Sequence, residues 1–303
     1  MVASEVEERV RAAMFAHLDG LADGHPDGLR SADINRFEVD GMQVRLVVQP
    51  GIRKPHFLDA ALTIRTAFTH PGQLPPYEDT LGDDGFVRYK YRGLDPQHPD
   101  NRALRQAMLR QLPLAYFVGI AAGVYHAQFP VFIIGEDMAT HEFVVAVDEA
   151  QRLIGPESPG EPTALRRAYV QRLTRERLHQ PVFRARVLQA YRTQCSICQL
   201  RHADLLDAAH ILPDGHPRGH PVVPNGLAMC KIHHAAYDRN ILGVRPDLRV
   251  HVRADILNEI DGPMLRHGLQ EMDGRTLSVP SARASRPDPE SLDERYELFR
   301  QAG

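Results

Sequence analysis

Three cysteines, all within one short segment, constrain the fold of this chain more than any other feature. Cys195 and Cys198 form a C-x-x-C pair, and Cys230 forms a second pair with His233 after 31 intervening residues. Two such turns can bring three thiolates and one imidazole around a single ion. Sulfur and nitrogen ligands suit zinc better than a hard cation, whereas unrelated buried thiols would leave the pairing unexplained. We therefore predict a structural zinc site with four protein ligands.

A second set of polar residues is interleaved with the cysteines. It consists of Asp207, His210, Asn225, His234 and Asp238. The pattern predicts His210 at the end of a strand and Asn225 in a Pro-Asn-Gly turn. A helix predicted from Leu227 to Asn240 places His234 and Asp238, at positions i and i+4, on one face.

This order of strand, Asn-bearing loop and helix resembles the ββα-metal motif of HNH endonucleases. The intervals also match, with 15 residues from His210 to Asn225, 9 more to His234 and 4 more to Asp238. The resemblance implies that His210 is the general base and that Asn225 braces the loop that orients it. It also implies that His234 and Asp238 bind a catalytic Mg²⁺ or Mn²⁺ ion.

The chain departs from the motif immediately before the base. Many HNH relatives carry an acid or a histidine there, and this chain has Ala209. The nearest acid is Asp207, which is the candidate third ligand of the catalytic ion. In a regular strand its odd offset from His210 places it on the opposite face, so it would reach the ion only through a bulge or twist.

Length and composition indicate a soluble globular protein of two domains. The chain has 303 residues, of which 43% are hydrophobic and 25% are charged. The residues after Met1 lack the apolar core of a signal peptide, and the longest apolar run, 12 residues from Leu114 to Tyr125, is too short for a bilayer. With every cysteine assigned to metal, we expect a reducing cytoplasm and no membrane partner.

The predicted architecture is α+β, with a division at a linker of three prolines and two glycines in the nine residues 154–162. Residues 1–153 are predicted as a mostly β DNA-recognition domain and 154–163 as the linker. Residues 164–303 are predicted as a zinc-stabilised HNH nuclease domain with basic helices and a C-terminal extension.

Positive charge is concentrated just before the cysteine segment. Although the net charge is −3, the residues from Arg166 to Arg192 include eight arginines and one acid, Glu176. Such a local basic stripe is typical of a DNA-backbone contact, although a solvated helix face is the alternative. The candidate phosphate contacts are Arg166, Arg167, Arg172, Arg175 and Arg177.

The stretch from Tyr89 to Val147 is similar to SRA domains of the PUA-like superfamily. The likeness rests on a Tyr-Lys-Tyr-Arg-Gly-Leu-Asp run from Tyr89 to Asp95, an Asn-x-Ala-Leu helix and a strand led by Pro113. It implies a pocket for a flipped, modified cytosine, in which Tyr89 and Tyr91 stack the base and Asp95 reads its edge. The alternative is that these tyrosines are ordinary core or strand-surface residues.

Together these features predict a modification-dependent restriction endonuclease that acts on double-stranded DNA, with homodimerisation left open. The modified base would be 5-methyl- or 5-hydroxymethylcytosine. One alternative keeps the nuclease but has the first domain read phosphorothioate or an unmodified site. Another is a zinc-stabilised DNA-binding protein with a non-cutting HNH fold. All four motif residues are present, which favours a nuclease.

Overall fold

The computed structural model describes residues 3–23, 25, 27–69, 80–155 and 164–302. The fold is α+β, as predicted. Backbone contacts divide the chain into two compact units, Met1–Val182 and Phe183–Gly303. None of the helices in the described ranges combines the length and apolar character needed to cross a membrane.

The first unit contains most of the strands. Its strands are β1 (Leu29–Arg30), β2 (Glu38–Val39), β3 (Met42–Gln43), β4 (Ile52–Arg53), β5 (Thr63–Thr66), β6 (Thr80–Leu81), β7 (Val87–Lys90), β8 (Leu114–Ala121), β9 (Val124–Asp137) and β10 (Glu142–Ala146). Its helices are α1 (Ala3–Ala22), α2 (Ser31–Ile34), α3 (Pro99–Leu109), α4 (Glu149–Ile154) and α5 (Ala164–Thr174). A π-helical turn, Arg175–His179, joins α5 to α6 (Gln180–Ala190), which crosses the boundary between the units.

An eight-stranded curled sheet forms the centre of this unit. The strand order is β4-β5-β8-β9-β10-β7-β6, with β1 paired to β9. The sequence predicts two short strands where the 14-residue β9 runs through Pro130. Proline has no N–H to donate, and the β8–β9 register shifts between Leu114 and Tyr116, opposite this point. The irregularity therefore accommodates the proline without ending the strand.

Helix α1 covers part of this sheet, as its apolar spacing predicts. Val10, Met14 and Leu18 are buried and share a core cluster with Phe117 and Tyr125 of the sheet. The Asp-Gly pair at positions 40 and 41 forms the turn of the β2–β3 hairpin. Asp40 and Gly41 have φ of 51° and 71°. A two-residue hairpin turn of type I′ requires positive φ at both central residues.

Helix α5 packs on the sheet of the first unit. Val170 belongs to a core cluster with Phe86, Phe132, Val144 and Ala146. Residues 156–163 of the predicted linker lie outside the described residues, so the domain limits drawn from the sequence remain a prediction.

Helix α5, the π-helical turn and α6 form one continuous helical run over residues 164–190. A proline inside an α-helix clashes with the carbonyl four residues earlier. The π-helical turn before Pro181 widens the helix, because its backbone hydrogen bonds span five residues instead of four. The Gln180 N–H, for example, donates to the Arg175 carbonyl. The helix therefore passes Pro181 without a break.

The second unit is built from two small hairpins and several helices. Its strands are β11 (Leu206–His210), β12 (Gly226–Cys230), β13 (Leu242–Val244) and β14 (Val250–Val252). Its helices are α7 (Lys231–Asp238), α8 (Ala254–Leu257), α9 (Pro263–Gly268) and α10 (Pro289–Gln301), with 3₁₀ turns at Ala203–Leu205, Val223–Asn225, Gln270–Met272 and Arg283–Ser285.

The helix predicted from Leu227 is wrong in its first turn. Leu227 to Cys230 belong to β12, which pairs antiparallel with β11, and α7 starts only at Lys231. A short apolar run has no periodicity that separates strand from helix, and here the partner strand decides. The resulting strand–strand–helix order places Cys230 directly before α7.

Helix α6 packs closely on the first of these hairpins. A Cβ atom on Gly226 would lie 2.5 Å from Val187 Cγ2 and 2.9 Å from Phe183 Cζ. Only glycine at this position allows α6 to approach β12 so closely. The approach brings Phe183 beside His210, which pairs with Gly226 in the β11–β12 register.

Candidate active site and metal centre

The four predicted zinc ligands lie together. Their ligand atoms are all within 4.8 Å of one another, and no other group of three or more such residues does this in the described ranges. His233 Nδ1 is 3.2 Å from Cys230 Sγ and 3.5 Å from Cys195 Sγ, and the Cys198 and Cys230 sulfurs are 4.0 Å apart. A tetrahedral zinc with Zn–S bonds of about 2.3 Å requires sulfur separations near ~3.8 Å. The donor set and its spacing therefore fit zinc.

The second nitrogen of His233 fixes the orientation of the ring. His233 Nε2 lies 2.8 Å from the carbonyl oxygen of Gly268, at the end of α9, and donates a hydrogen bond to it. Nδ1 is then left to face the sulfurs, as in metal sites where an outer carbonyl orients a histidine ligand. This contact joins residues 35 positions apart, and no local pattern in the sequence predicts it.

Hydrogen bonds within the cluster favour the thiolate at Cys195 and, in the absence of an ion, raise the pKa of Cys230. Hydrogen bonds from Cys198 and Cys230 lower the pKa of the Cys195 thiol. Burial alone would lower the pKa of His233, but its hydrogen bonds to Cys195 and Cys198 raise it to about 9. Thiolate is the form in which cysteine binds metal. All three cysteines are free of disulfides, and the predicted reducing compartment remains a prediction.

His210 stands at the end of β11 in a partly apolar setting. Its ring stacks on that of Phe183, with centroids 4.1 Å apart and planes inclined by 20°. Its Nε2 atom is buried without a hydrogen-bond partner in the described structure. Burial lowers the pKa of His210, and the nearby His234 lowers it further, against the opposing charges of Asp214 and Asp238. The imidazole is therefore held in its neutral form.

Asn225 braces the chain that follows His210. Its Oδ1 atom accepts the Leu212 N–H at 2.9 Å, and its Nδ2 atom donates to the Leu212 carbonyl at 3.0 Å. Nδ2 also donates to the His220 carbonyl at 3.1 Å, and the Asn225 carbonyl accepts the Ile211 N–H at 2.9 Å. These hydrogen bonds of Asn225 tie the start of the loop between β11 and β12 to its end. The Asn225 side chain is almost completely buried.

His234 and Asp238 lie on one face of α7, as their spacing predicts. His234 Nε2 is 3.4 Å from Asp238 Oδ2. Asp207 approaches the same ring from β11, with its Oδ2 atom 3.6 Å from His234 Nδ1. An imidazole nitrogen and a carboxylate oxygen at 3.4 Å can share one ion with bonds near ~2.1 Å, so the His234–Asp238 pair fits a divalent cation.

The sequence does not predict that two basic side chains lie near this site. Arg184 Nε is 3.5 Å from Asp207 Oδ1, and Lys231 Nζ is 3.3 Å from Asp207 Oδ2. Asp214, whose charge acts on His210, is likewise absent from the sequence-based site. Arg184 belongs to α6 and Lys231 to the first turn of α7, so their proximity depends on tertiary packing.

Tyr89 and Tyr91 line a cavity of about 290 Å³ in the first unit. The Tyr89 hydroxyl donates to the carbonyls of Gly51 and Arg65, at 3.3 and 3.2 Å. Burial and the carboxylate of Glu136 raise the pKa of Tyr91 to about 12. The other lining residues are Gln49, Pro50, Gly51, Ile52, Arg65, Thr66, Ala67, Lys90 and Arg92.

Asp95, the third residue of the predicted base pocket, is not among the residues that line this cavity. It is exposed, and its Oδ1 atom accepts the Gln97 N–H at 2.8 Å in a local turn.

The predicted arginine stripe is partly engaged within the first unit. Arg166 donates to the Ile154 carbonyl at 2.7 Å, so it caps the end of α4. Arg172 pairs with Glu176 at 2.8 Å, and Arg177 lies 3.7 Å from Asp148. Arg167 and Arg175 are exposed on the same helical run.

The geometry around His210 and α7 coincides with a family-level match. Residues 195–245 match the HNH endonuclease family model. The predicted resemblance to HNH endonucleases is therefore confirmed for this segment. The match supports a nuclease that hydrolyses phosphodiester bonds. HNH nucleases use divalent metals, consistent with the pair formed by His234 and Asp238.

Two solved structures of restriction endonucleases are similar to this chain at low levels. The modification-dependent restriction endonuclease TagI is 16% identical, with 91% of this chain and 93% of TagI covered and a TM-score of 0.29. The type IV phosphorothioation-dependent restriction endonuclease ScoMcrA is 16% identical, with 57% of this chain and 49% of ScoMcrA covered and a TM-score of 0.22. These scores are too low to establish a shared fold. No curated protein sequence matches the chain.

Proposed function

We propose that this protein is a modification-dependent DNA endonuclease of the restriction type. Its HNH segment hydrolyses the phosphodiester bond, and its first unit reads a modified cytosine. The observation that carries the nuclease proposal is the neutral, half-buried imidazole of His210 next to the paired His234 and Asp238. A non-cutting DNA-binding protein would have no use for this combination.

His210 is the general base in this proposal. Its pKa is lowered, so the ring is unprotonated at neutral pH, and a buried Nε2 leaves Nδ1 as the nitrogen that water can approach. At Nδ1, His210 accepts a proton from the water that attacks phosphorus in line. The contacts of Asn225 fix residues 211 and 212, which keeps the ring aimed at that water.

His234 and Asp238 would hold a Mg²⁺ or Mn²⁺ ion. Bound there, the ion would polarise the scissile phosphate and stabilise the leaving 3′ oxygen. Both ligands project from α7, which directly follows the zinc ligand Cys230 and carries His233 in its first turn. The zinc cluster thus sets the position of the helix that carries the catalytic ligands.

The cavity lined by Tyr89 and Tyr91 is the proposed reader site. Its volume, about 290 Å³, is at the lower end of the range for small-ligand pockets, about 300–1,000 Å³. A flipped base loses its stacking in the duplex, and an aromatic wall can restore part of it. Arg65, Thr66 and Lys90 supply polar atoms around the cavity, so they replace Asp95 as the proposed readers of the base edge.

Filling this cavity is expected to abolish the preference for modified DNA. Ala67→Phe adds a ring to a wall of the cavity, where it would occupy the space for the base. The wild-type protein, supplied with Mg²⁺ or Mn²⁺, should cut plasmid carrying 5-methyl- or 5-hydroxymethylcytosine roughly 10- to 200-fold faster than unmodified plasmid, the discrimination that one small group supports. The measurement is the ratio of the two initial rates.

Ala139→Phe, in an exposed turn of the same unit, is the matched control and should keep the wild-type ratio. Equal rates of wild-type cleavage on modified and unmodified plasmids would contradict modification reading. That result would leave an HNH nuclease whose first unit reads another feature, such as a phosphorothioate backbone.

Arg167 and Arg175, which are exposed, are the members of the stripe that we propose as phosphate contacts. Removal of one arginine–phosphate interaction should reduce the slope of log affinity against log salt by about 0.9 for duplex DNA. The double variant Arg167→Ala/Arg175→Ala should therefore flatten the slope by about 1.8. Arg36→Ala, an exposed arginine elsewhere in the unit, should leave it unchanged. An unchanged slope in the double variant would identify the stripe as a solvated helix face.

A further inference from the structure

Asp207 and Asp238 approach different nitrogen atoms of the His234 ring. Asp238 Oδ2 is 3.4 Å from Nε2, whereas Asp207 Oδ2 is 3.6 Å from Nδ1. An imidazole nitrogen that binds a metal ion uses its lone pair, and the other nitrogen then carries the proton. If Nε2 holds the ion, Asp238 lies beside the metal-binding nitrogen and Asp207 lies beside the protonated nitrogen.

The surroundings of Asp207 oppose direct metal binding. Its Oδ1 atom is 3.5 Å from Arg184 Nε, and its Oδ2 atom is 3.3 Å from Lys231 Nζ. A divalent ion on this carboxylate would lie next to two like charges, at a Coulomb cost that grows as water is excluded. In the described part of the chain, Asp238 pairs with no lysine or arginine, so an ion at Nε2 meets no such repulsion.

Arg184 holds the Asp207 carboxylate in place. The guanidinium donates to the carbonyls of Ala203 and Leu206, at 2.9 and 2.8 Å, so it is fixed to the chain that leads into β11. Its Nε atom remains directed at Asp207 Oδ1. The carboxylate is thus positioned by a partly buried arginine that also binds two backbone carbonyls.

We propose that Asp207 is a positioning residue whose carboxylate attracts the Nδ1–H edge of His234, rather than a ligand of the catalytic ion. This interaction fixes the tautomer and the orientation that present Nε2, together with Asp238, to the ion. The inference rests on the proposed nuclease function, and it replaces the sequence-based expectation that Asp207 is the third ligand. Outer partners of this kind change metal affinity by about 10- to 100-fold when they are removed.

The test is nitrogen NMR on the full chain labelled with ¹⁵N-histidine and loaded both with zinc and with saturating Mg²⁺. The His234 signals are identified by their absence in a His234→Gln variant. We expect a protonated Nδ1 and an unprotonated Nε2 in the wild type, and a shift of the proton towards Nε2 in Asp207→Asn. Titration with Mn²⁺, followed by its electron paramagnetic resonance, should show about 10- to 100-fold weaker binding in Asp207→Asn.

Two further variants complete the experiment. Asp204→Asn removes an exposed acid three residues away and should change neither readout. Asp238→Asn should abolish Mn²⁺ binding and keep the Nδ1 proton. A wild-type His234 with its proton on Nε2 would overturn the inference, and this measurement needs no variant of Asp207 to fold. Cleavage assayed in parallel separates the two proposals, because a protein with the expected tautomer that cuts no DNA would overturn only the nuclease function.

Discussion

Replacement of His210 by alanine is expected to reduce the rate of DNA cleavage by about 10²- to 10⁴-fold or more, the usual contribution of a positioned general base. The variant removes the imidazole that accepts the proton of the attacking water. It does not touch the zinc ligands or the His234–Asp238 pair, so DNA binding and Mn²⁺ binding should persist. The measurement is single-turnover cleavage of a plasmid substrate, with thermal unfolding recorded for both proteins.

His216→Ala is a suitable control for the loss of a histidine from the same unit. His216 lies in the loop after His210 and pairs with Glu294 at 2.9 Å, remote from the attack on phosphorus in the proposed mechanism. This variant should cut at close to the wild-type rate. A His210→Ala protein that retains near wild-type cleavage would show that His210 is not the base of this HNH segment.

The pH profile provides a second readout of the same residue. Burial lowers the pKa of His210 from its ordinary value of about 6.5, so the neutral base persists as the pH falls through that value. Activity is lost only when the ring is protonated, below the lowered pKa. The acid limb of the cleavage rate should therefore lie below about pH 6.5.

The parts of the site that the sequence predicts are those specified by short spacing. Cys195 and Cys198 share one turn, and His234 and Asp238 share one helix face, so local geometry alone brings each pair together. His210 and Asn225 are farther apart, and only the resemblance to the HNH motif joins them to these pairs.

Other contacts of the site depend on packing between distant elements. Phe183 and Arg184 reach the site because Gly226 lets α6 approach β12, and the Gly268 carbonyl reaches His233 from α9. The hydrophobic periodicity of the sequence does not indicate which distant elements come into contact in this way. The same limit explains the misplaced start of α7, since the pairing of β12 with β11 decided between strand and helix.

The candidate site of the first unit is less predictable, because residue type rather than short spacing indicates its residues. Tyr89 and Tyr91 do line a cavity, but their hydroxyls are committed to backbone carbonyls and to Glu136. Asp95 follows them closely in sequence and yet lies in an exposed turn. The cavity is completed by Arg65 and Thr66 of β5, a strand that a linear motif after Tyr89 does not include.

Loss of one zinc ligand is expected to unfold the second unit. The binding free energy of a structural zinc is about 10–16 kcal/mol in small zinc modules, whereas whole domains are stable by only about 5–15 kcal/mol. Cys198→Ser removes one of three thiolates and leaves Cys195 and Cys230 without a complete tetrahedron. Because Cys230 directly precedes α7, the helix that carries His234 should lose its fixed start.

Limited proteolysis and metal analysis of the full chain measure this effect. In Cys198→Ser, cleavage by protease should concentrate after about residue 183, where the second unit begins, and the zinc content should fall well below one ion per chain. Ser196→Ala is the matched control, because the Ser196 hydroxyl is buried within the same turn and has no hydrogen-bond partner in the described structure. Its removal should leave zinc binding and protease resistance unchanged. A well-folded wild-type protein that contains no zinc would contradict the prediction, since the four ligands would then hold their arrangement by packing alone.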